Sequence, residues 1–73
     1  MTARAWTTMP AGTVRGGDVV KLGSGTELAV TRVERPFLGR DDLVCLVEDS
    51  EIRWLATAMA PSAEVTVRRA RAR

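Results

Sequence analysis

Residues 16–33 read GGDVVKLGSGTELAVTRV, and this stretch decides the fold of the chain. Two apolar, mostly β-branched runs flank the Gly-Ser-Gly triplet at 23–25, a pattern typical of a β-hairpin. Glycine supplies the positive φ that such a turn needs. Leu28 and Val30 share one face of the returning strand, and Val33 breaks the alternation, which predicts a bulge or bend after Arg32.

The size of the chain limits its core. With 73 residues it is one small domain, and domains of this size bury only about 60% of their unfolded surface. Cys45 is the single cysteine and histidine is absent, so we expect no intrachain disulfide, no zinc site of the Cys/His type and no cofactor. Self-association is then the remaining way to stabilise so small a core.

The charge is concentrated at the C-terminus. The chain has eleven basic and nine acidic residues, a net charge of +2. Four arginines occupy the last six positions, namely Arg68, Arg69, Arg71 and Arg73. Residues 1–67 therefore carry seven basic and nine acidic residues, a net charge of −2. This slightly acidic body argues against a broad nucleic-acid-binding surface, whereas the basic tail can contribute non-specific binding to nucleic acid.

The remaining pattern predicts a short chain of strands. Residues 1–13 are an N-terminal extension in which residues 5–9 form a short extra strand before Pro10. Residues 14–68 form the folded body, and residues 69–73 a flexible basic tail. A short helical turn is expected between Ala56 and Pro61. The five predicted strands of the body are Asp18–Leu22, Thr26–Glu34, Leu43–Glu48, Ile52–Ala56 and Glu64–Arg68.

Two segments have alternative interpretations. Residues 52–59 fit a strand through Ala56 or a helix, and we prefer the strand. Trp54 within it is either a core anchor, the preferred interpretation, or a partly exposed platform for a peptide or a base. Phe37 and Leu38, in the loop after Pro36, either cover the core, as we expect of so small a domain, or form an exposed contact patch.

The carboxylates and the single cysteine do not indicate a catalytic site. Asp18 is interpreted as a turn residue that bonds nearby backbone N–H groups. Asp41 and Asp42 are adjacent and point to opposite sides of an extended chain. Cys45 lies in an apolar run typical of a central strand, with no histidine to activate it. The Gly-Ser-Gly triplet lacks the following Lys-Ser/Thr of a phosphate-binding loop. We therefore expect that the protein is not an enzyme.

The segment at 14–20 carries a family resemblance. It reads VRGGDVV, is followed by Gly23, and is similar to the opening of KOW-type and related barrels, where a Gly-Asp pair precedes a strand. The strand pattern resembles an all-β fold, a small five-stranded antiparallel SH3-like barrel with one short helical turn before the last strand. In its length and in the positions of Trp6, Pro10 and Asp18, the whole chain resembles short uncharacterised proteins of actinobacteria and their phages.

Two binding functions follow. The preferred prediction is a non-catalytic protein-interaction module, such as a phage or host accessory factor or a small assembly subunit, that binds a protein partner or its own copy. Aromatic and large apolar side chains dominate such interfaces. The predicted contact residues are Phe37, Leu38, Trp54 and Trp6.

The alternative is a nucleic-acid-binding barrel that sets arginines against phosphates and stacks a base on Trp54. Its predicted contacts are Arg32, Arg35, Arg53, Arg68, Arg69, Arg71 and Arg73. No apolar run reaches the length of about 20 residues that a membrane helix requires. The N-terminus lacks the apolar stretch of a signal peptide, so we expect a cytoplasmic protein without a membrane partner.

Overall fold

The computed structural model of the chain describes residues 6–69. They form seven β-strands and a single-turn 3₁₀ helix, Ala11–Thr13, which confirms the all-β prediction. The strands are β1 (Thr7–Pro10), β2 (Val19–Lys21), β3 (Glu27–Ala29), β4 (Arg32–Glu34), β5 (Val44–Asp49), β6 (Trp54–Met59) and β7 (Glu64–Arg68). No helix within residues 6–69 is long and apolar enough to cross a membrane.

The strands are arranged in two antiparallel sheets. Sheet A has the order β1-β7-β2-β3, and sheet B has the order β4-β5-β6. The described strands form two antiparallel sheets and no closed barrel, so the small barrel of five strands stays a prediction. Closure would require the edge strands to pair, and no described strand other than β5 pairs with β6.

The predicted hairpin is the β2–β3 pair. Val20 lies opposite Leu28, and Gly25 has a φ of 93° in the turn. The main-chain N–H of Leu22 donates to the carbonyl of Thr26 at 2.8 Å, which closes the turn. The spacing of glycines and β-branched residues thus predicts this element correctly.

The chain passes from sheet A to sheet B between Val30 and Thr31. The Val30 N–H donates to the Asp18 carbonyl at 2.8 Å, whereas the Thr31 N–H donates to Val47 of β5 at 2.7 Å. A Cβ at Gly16 would lie 3.1 Å from the Thr31 carbonyl oxygen, so glycine permits this close approach. The bend therefore lies after Val30, two positions before the predicted one, where the chain passes close to Gly16.

The core lies between the sheets. Its fully buried members are Val14, Val20, Leu28, Val30, Leu46 and Val67. The central strand of sheet B is buried from Val44 to Glu48, as the apolar run predicts. Burial of this strand on both faces leaves Cys45 only 2% exposed.

Two predicted details near the C-terminal strand are wrong. The connection before β7 is a turn in which the Ala63 N–H donates to the Ala60 carbonyl at 3.0 Å, and the 3₁₀ helix lies before β2 instead. The strand predicted over Ile52–Ala56 runs from Trp54 to Met59. Pairing with β5 along its whole length holds residues 57–59 extended in spite of their helical propensity.

Candidate interaction surface

Within residues 6–69, three large apolar side chains lie on the surface. The exposed fractions are 79% for Leu38, 88% for Ile52 and 61% for Trp54. The preferred prediction for Trp54, a core anchor, is wrong because of its register. Leu46 belongs to the core and lies opposite Thr57, so the alternation of β6 turns Trp54 to the outer face of sheet B.

Ile52 lies at the tip of the β5–β6 turn. The Ser50 N–H donates to the Arg53 carbonyl at 3.0 Å, and the Arg53 N–H donates to Ser50 Oγ at 3.2 Å. These bonds leave Glu51 and Ile52 as the two residues of the turn. Ile52 was predicted to begin a strand, and the polar run before it gives no sign that the reversal extends one residue further.

The outer edge of β6 is open. Because Ser50 and Arg53 form a hydrogen-bonded pair, the alternation of antiparallel pairing turns the main-chain groups of Trp54, Ala56 and Ala58 away from β5. The strand contains neither a charged residue nor proline. Natural edge strands generally carry such residues to prevent pairing with other chains. We call Ile52 and Trp54 together with this edge the β6 surface.

Leu38 occupies the tip of a different turn. The Arg40 N–H donates to the Phe37 carbonyl at 3.0 Å, and φ is 55° at Leu38 and 74° at Gly39. Phe37 is half-buried. The expectation that both side chains cover the core is therefore wrong for Leu38, because the turn directs its side chain into solvent.

The predicted contact residues do not form one patch. Leu38 lies in the β4–β5 loop and Ile52 in the β5–β6 turn, at opposite ends of β5. Six residues of extended strand span about 17 Å. Trp6 lies beside sheet A, where its ring centroid is 4.5 Å from Lys21 Nζ and 4.9 Å from Arg68 Cζ. Of the predicted set, only Trp54 belongs to the β6 surface.

Most of the described arginines of the nucleic-acid alternative have acidic neighbours. Arg32 pairs with Glu34 and with Asp49, each at 3.1 Å. The remaining ion pairs of this set are Arg53 with Glu48 at 2.9 Å, Arg68 with Glu27 at 3.7 Å and Arg69 with Asp18 at 3.0 Å. These carboxylates reduce the positive potential that a phosphate backbone would meet.

The other arginines of the predicted set are Arg35, Arg71 and Arg73. The Arg35 guanidinium donates to the Gly12 carbonyl. Arg71 and Arg73 lie outside the described residues. Arg69, which was assigned to the tail, is bonded to Asp18 and so belongs to the folded part of the chain.

Two buried carboxylates stabilise the fold in their ionised form. Burial alone raises the pKa of Asp18, but the Arg69 guanidinium and the Arg15 N–H outweigh it and hold that pKa below its usual value. Bonds from the Arg53 guanidinium and the Ala29 N–H lower the pKa of Glu48. Asp18 thus bonds nearby backbone as the sequence predicts, since the Arg15 N–H donates to its Oδ2 at 2.9 Å.

Within residues 6–69 no buried side-chain polar atom lacks a hydrogen-bond partner, and no group of three acidic or cysteine side chains is placed to hold a metal ion. Burial, with the charge of Glu34 as a second cause, raises the pKa of the Cys45 thiol. These groups are therefore engaged in packing and hydrogen bonding, whereas the β6 surface combines exposed apolar side chains with an edge strand that contains no charged residue.

No protein-family model, curated protein or solved structure matches this chain. Function is therefore inferred from the surface of residues 6–69.

Proposed function

We propose that the protein is a non-catalytic protein-interaction module that binds its partner through the β6 surface. One observation carries this proposal: Ile52 and Trp54, two positions apart in the chain, are 88% and 61% exposed in a chain with only two tryptophans and one phenylalanine. A small domain gains stability by burying such side chains. Aromatic anchors of this kind dominate protein–protein interfaces.

The main chain beside these side chains supports the same function. The outward N–H and C=O groups of Trp54, Ala56 and Ala58 can bond an added strand, and the neighbouring apolar side chains can enter a pocket of the partner. Strand addition obtains affinity from main-chain bonds and specificity from alternate side chains. Leu38 lies in the β4–β5 loop, away from the β5–β6 turn, and is not part of this surface.

The SH3-like barrel is part of this proposal. β3 and β4 are one bent strand, so the pairing follows the order β7, β2, β3–β4, β5 and β6, with β1 added outside β7. Five antiparallel strands in this order support a small barrel that is opened into two sheets. A module of this kind suits a small assembly subunit or an accessory factor of a phage or its host, acting in the cytoplasm.

A photo-crosslinking residue at position 52 tests the function. The full chain carrying it is mixed with extract of the source cells and irradiated, and adducts are identified by mass spectrometry. The matched control carries the same residue at Asp41, an exposed position in the β4–β5 loop. We expect adducts from position 52 only. Equal adducts from both positions, or none from position 52, would contradict the proposal.

Nucleic-acid binding is a second candidate function, favoured by the neighbourhood of Trp6. Lys21 and Arg68 both lie within 5 Å of its ring centroid, which combines a stacking surface with two cations. The test is binding of a short duplex at low and at high salt. This candidate predicts binding that falls steeply with salt and weakens in Arg68→Ala but not in Arg40→Ala, an exposed control beside Asp42.

A further inference from the structure

We propose that the β6 surface binds a second copy of this chain, with the two β6 strands antiparallel about a two-fold axis at Ala56. This inference rests on the proposed function and names the partner. The result is a continuous six-stranded sheet made of two copies of sheet B. Two-fold pairing of this kind uses one surface patch twice, so the patch must be complementary to itself.

The main-chain geometry supplies the first part of that complementarity. Only alternate residues of an edge strand direct their N–H and C=O groups outward, and in β6 these are Trp54, Ala56 and Ala58. A two-fold axis at Ala56 sets Ala56 opposite its own copy and Trp54 opposite Ala58 of the other chain. Each of the three outward residues then pairs with an outward residue of the other β6 strand. If the axis lay one residue away in either direction, one of the three would pair with a residue outside β6.

The side chains supply the second part. In this register the large side chain of Trp54 faces the small Ala58, and the turn that carries Ile52 lies at the level of Ala60 of the other chain. Ala56, Ala58 and Ala60 are all exposed and leave the volume that the tryptophan and isoleucine of the second copy need. An aromatic side chain reaches both the residue opposite and its diagonal neighbours on the same face of a sheet, so each Trp54 can pack over the alanines of the other chain.

Charge also favours a copy of the same strand. A charged residue near a two-fold axis would meet its own like charge, which is destabilising. The six residues of β6 contain none, whereas the nearest charged neighbour, Arg53, is engaged by Glu48 at 2.9 Å. The strand therefore lacks the feature by which natural edges prevent self-pairing.

The area of the proposed contact is small. A buried tryptophan covers roughly 150–250 Å², so two tryptophans, two isoleucines and the paired main chains bury about 1,000 Å² in total. This value lies at the low end of specific interfaces. We therefore expect a weak dimer whose population depends on concentration and whose Kd lies in the micromolar range or above.

The experiment is sedimentation equilibrium of the full chain across that Kd, with a charge-swap pair at the axis. We expect Ala56→Lys alone and Ala56→Glu alone to be monomers, because each sets like charges opposite one another, and an equimolar mixture of the two to restore the dimer. Ala29→Lys, an exposed alanine on sheet A, is the control and should dimerise like the unmodified chain.

Hydrogen exchange of the unmodified chain covers the case in which the variants fail to fold. The amides of Ala56 and Ala58 should gain protection as the concentration rises through the Kd, whereas that of Gly25 should not. A chain that is monomeric throughout overturns the dimer. If its position-52 crosslinker still captures another protein, the interaction module stands without self-pairing; if it captures nothing, both proposals fall.

Discussion

Asp18 and Arg69 join the beginning and the end of the folded domain. Arg69 Nε lies 3.1 Å from Asp18 Oδ1 and its Nη2 lies 3.0 Å from Oδ2, a bidentate arrangement across 51 positions of sequence. The same Nη2 donates to the Thr13 carbonyl at 3.0 Å. Asp18 is only 3% exposed, so this pair fixes the end of β7 against the loop that precedes β2.

Replacing Asp18 by asparagine should therefore destabilise the fold. Asparagine keeps the size of the side chain but loses the charge that the guanidinium and the Arg15 N–H face. Hydrogen bonds to charged groups contribute about 2 kcal/mol each, so we expect the free energy of unfolding to fall by about that amount. Urea denaturation measures it. Asp42→Asn, which breaks an exposed pair with Arg40, is the control and should leave stability unchanged; an equal loss in both variants would contradict the role of Asp18.

Stability should decrease in acid. The folded state lowers the pKa of both Asp18 and Glu48, so the unfolded chain takes up protons at a higher pH than the folded one. The stabilisation is fully present above the unfolded pKa values, about 4, and is lost as pH falls through the lower folded values.

Urea midpoints at a series of pH values from about 6 down to about 2 check this dependence. The midpoint should fall with pH in the unmodified chain and fall less in Glu48→Gln, because one of the carboxylates whose pKa the fold lowers is then absent. An unchanged slope in that variant would show that other groups account for the acid sensitivity.

Cys45 should resist thiol reagents until the protein unfolds. It is 2% exposed in the central strand of sheet B, and burial raises its pKa, so both access and the thiolate fraction are reduced. Labelling with a chromogenic disulfide should be slow in buffer and complete in urea. A cysteine introduced at Ser24, in the exposed β2–β3 turn, within a Cys45→Ser background should react at once. Comparable rates at the two positions would contradict the burial of Cys45.

Sequence patterns predicted those parts of the fold that depend on local periodicity. The β2–β3 hairpin, the two-faced burial of β5 and the turn role of Asp18 each follow from residues within a few positions of one another. The bend at Thr31 was misplaced because it depends on the approach of Gly16 from another segment. The division into two sheets likewise depends on which strands pair at long range, and alternation within a strand carries no such information.

The candidate surface was only partly predictable for the same reason. Trp54 was among the predicted contact residues, but its exposure depends on the register between β5 and β6, which a one-residue slip would invert. Ile52 was missed because the length of the turn before it decides whether it lies in a strand or at a tip. Leu38 was expected to cover the core. The positive φ that directs its side chain into solvent has no sequence signature other than the following Gly39.

The backbone at Leu38 provides the last prediction. A φ of 55° lies in the left-handed region, which costs a non-glycine residue about 1 kcal/mol or more. The side chain is 79% exposed, so its packing offsets little of that backbone strain. Asparagine tolerates the left-handed region, whereas a β-branched residue is disfavoured there.

We therefore expect Leu38→Asn to raise the free energy of unfolding by about 1 kcal/mol and Leu38→Val to lower it, as measured by urea denaturation. The two changes differ in backbone preference at one exposed site, so opposite signs identify the backbone as the cause. Because Leu38 lies at the other end of β5 from Ile52, both variants should dimerise with unchanged affinity. A loss of stability in Leu38→Asn would show instead that the leucine side chain packs against the domain and that its exposure is incomplete in solution.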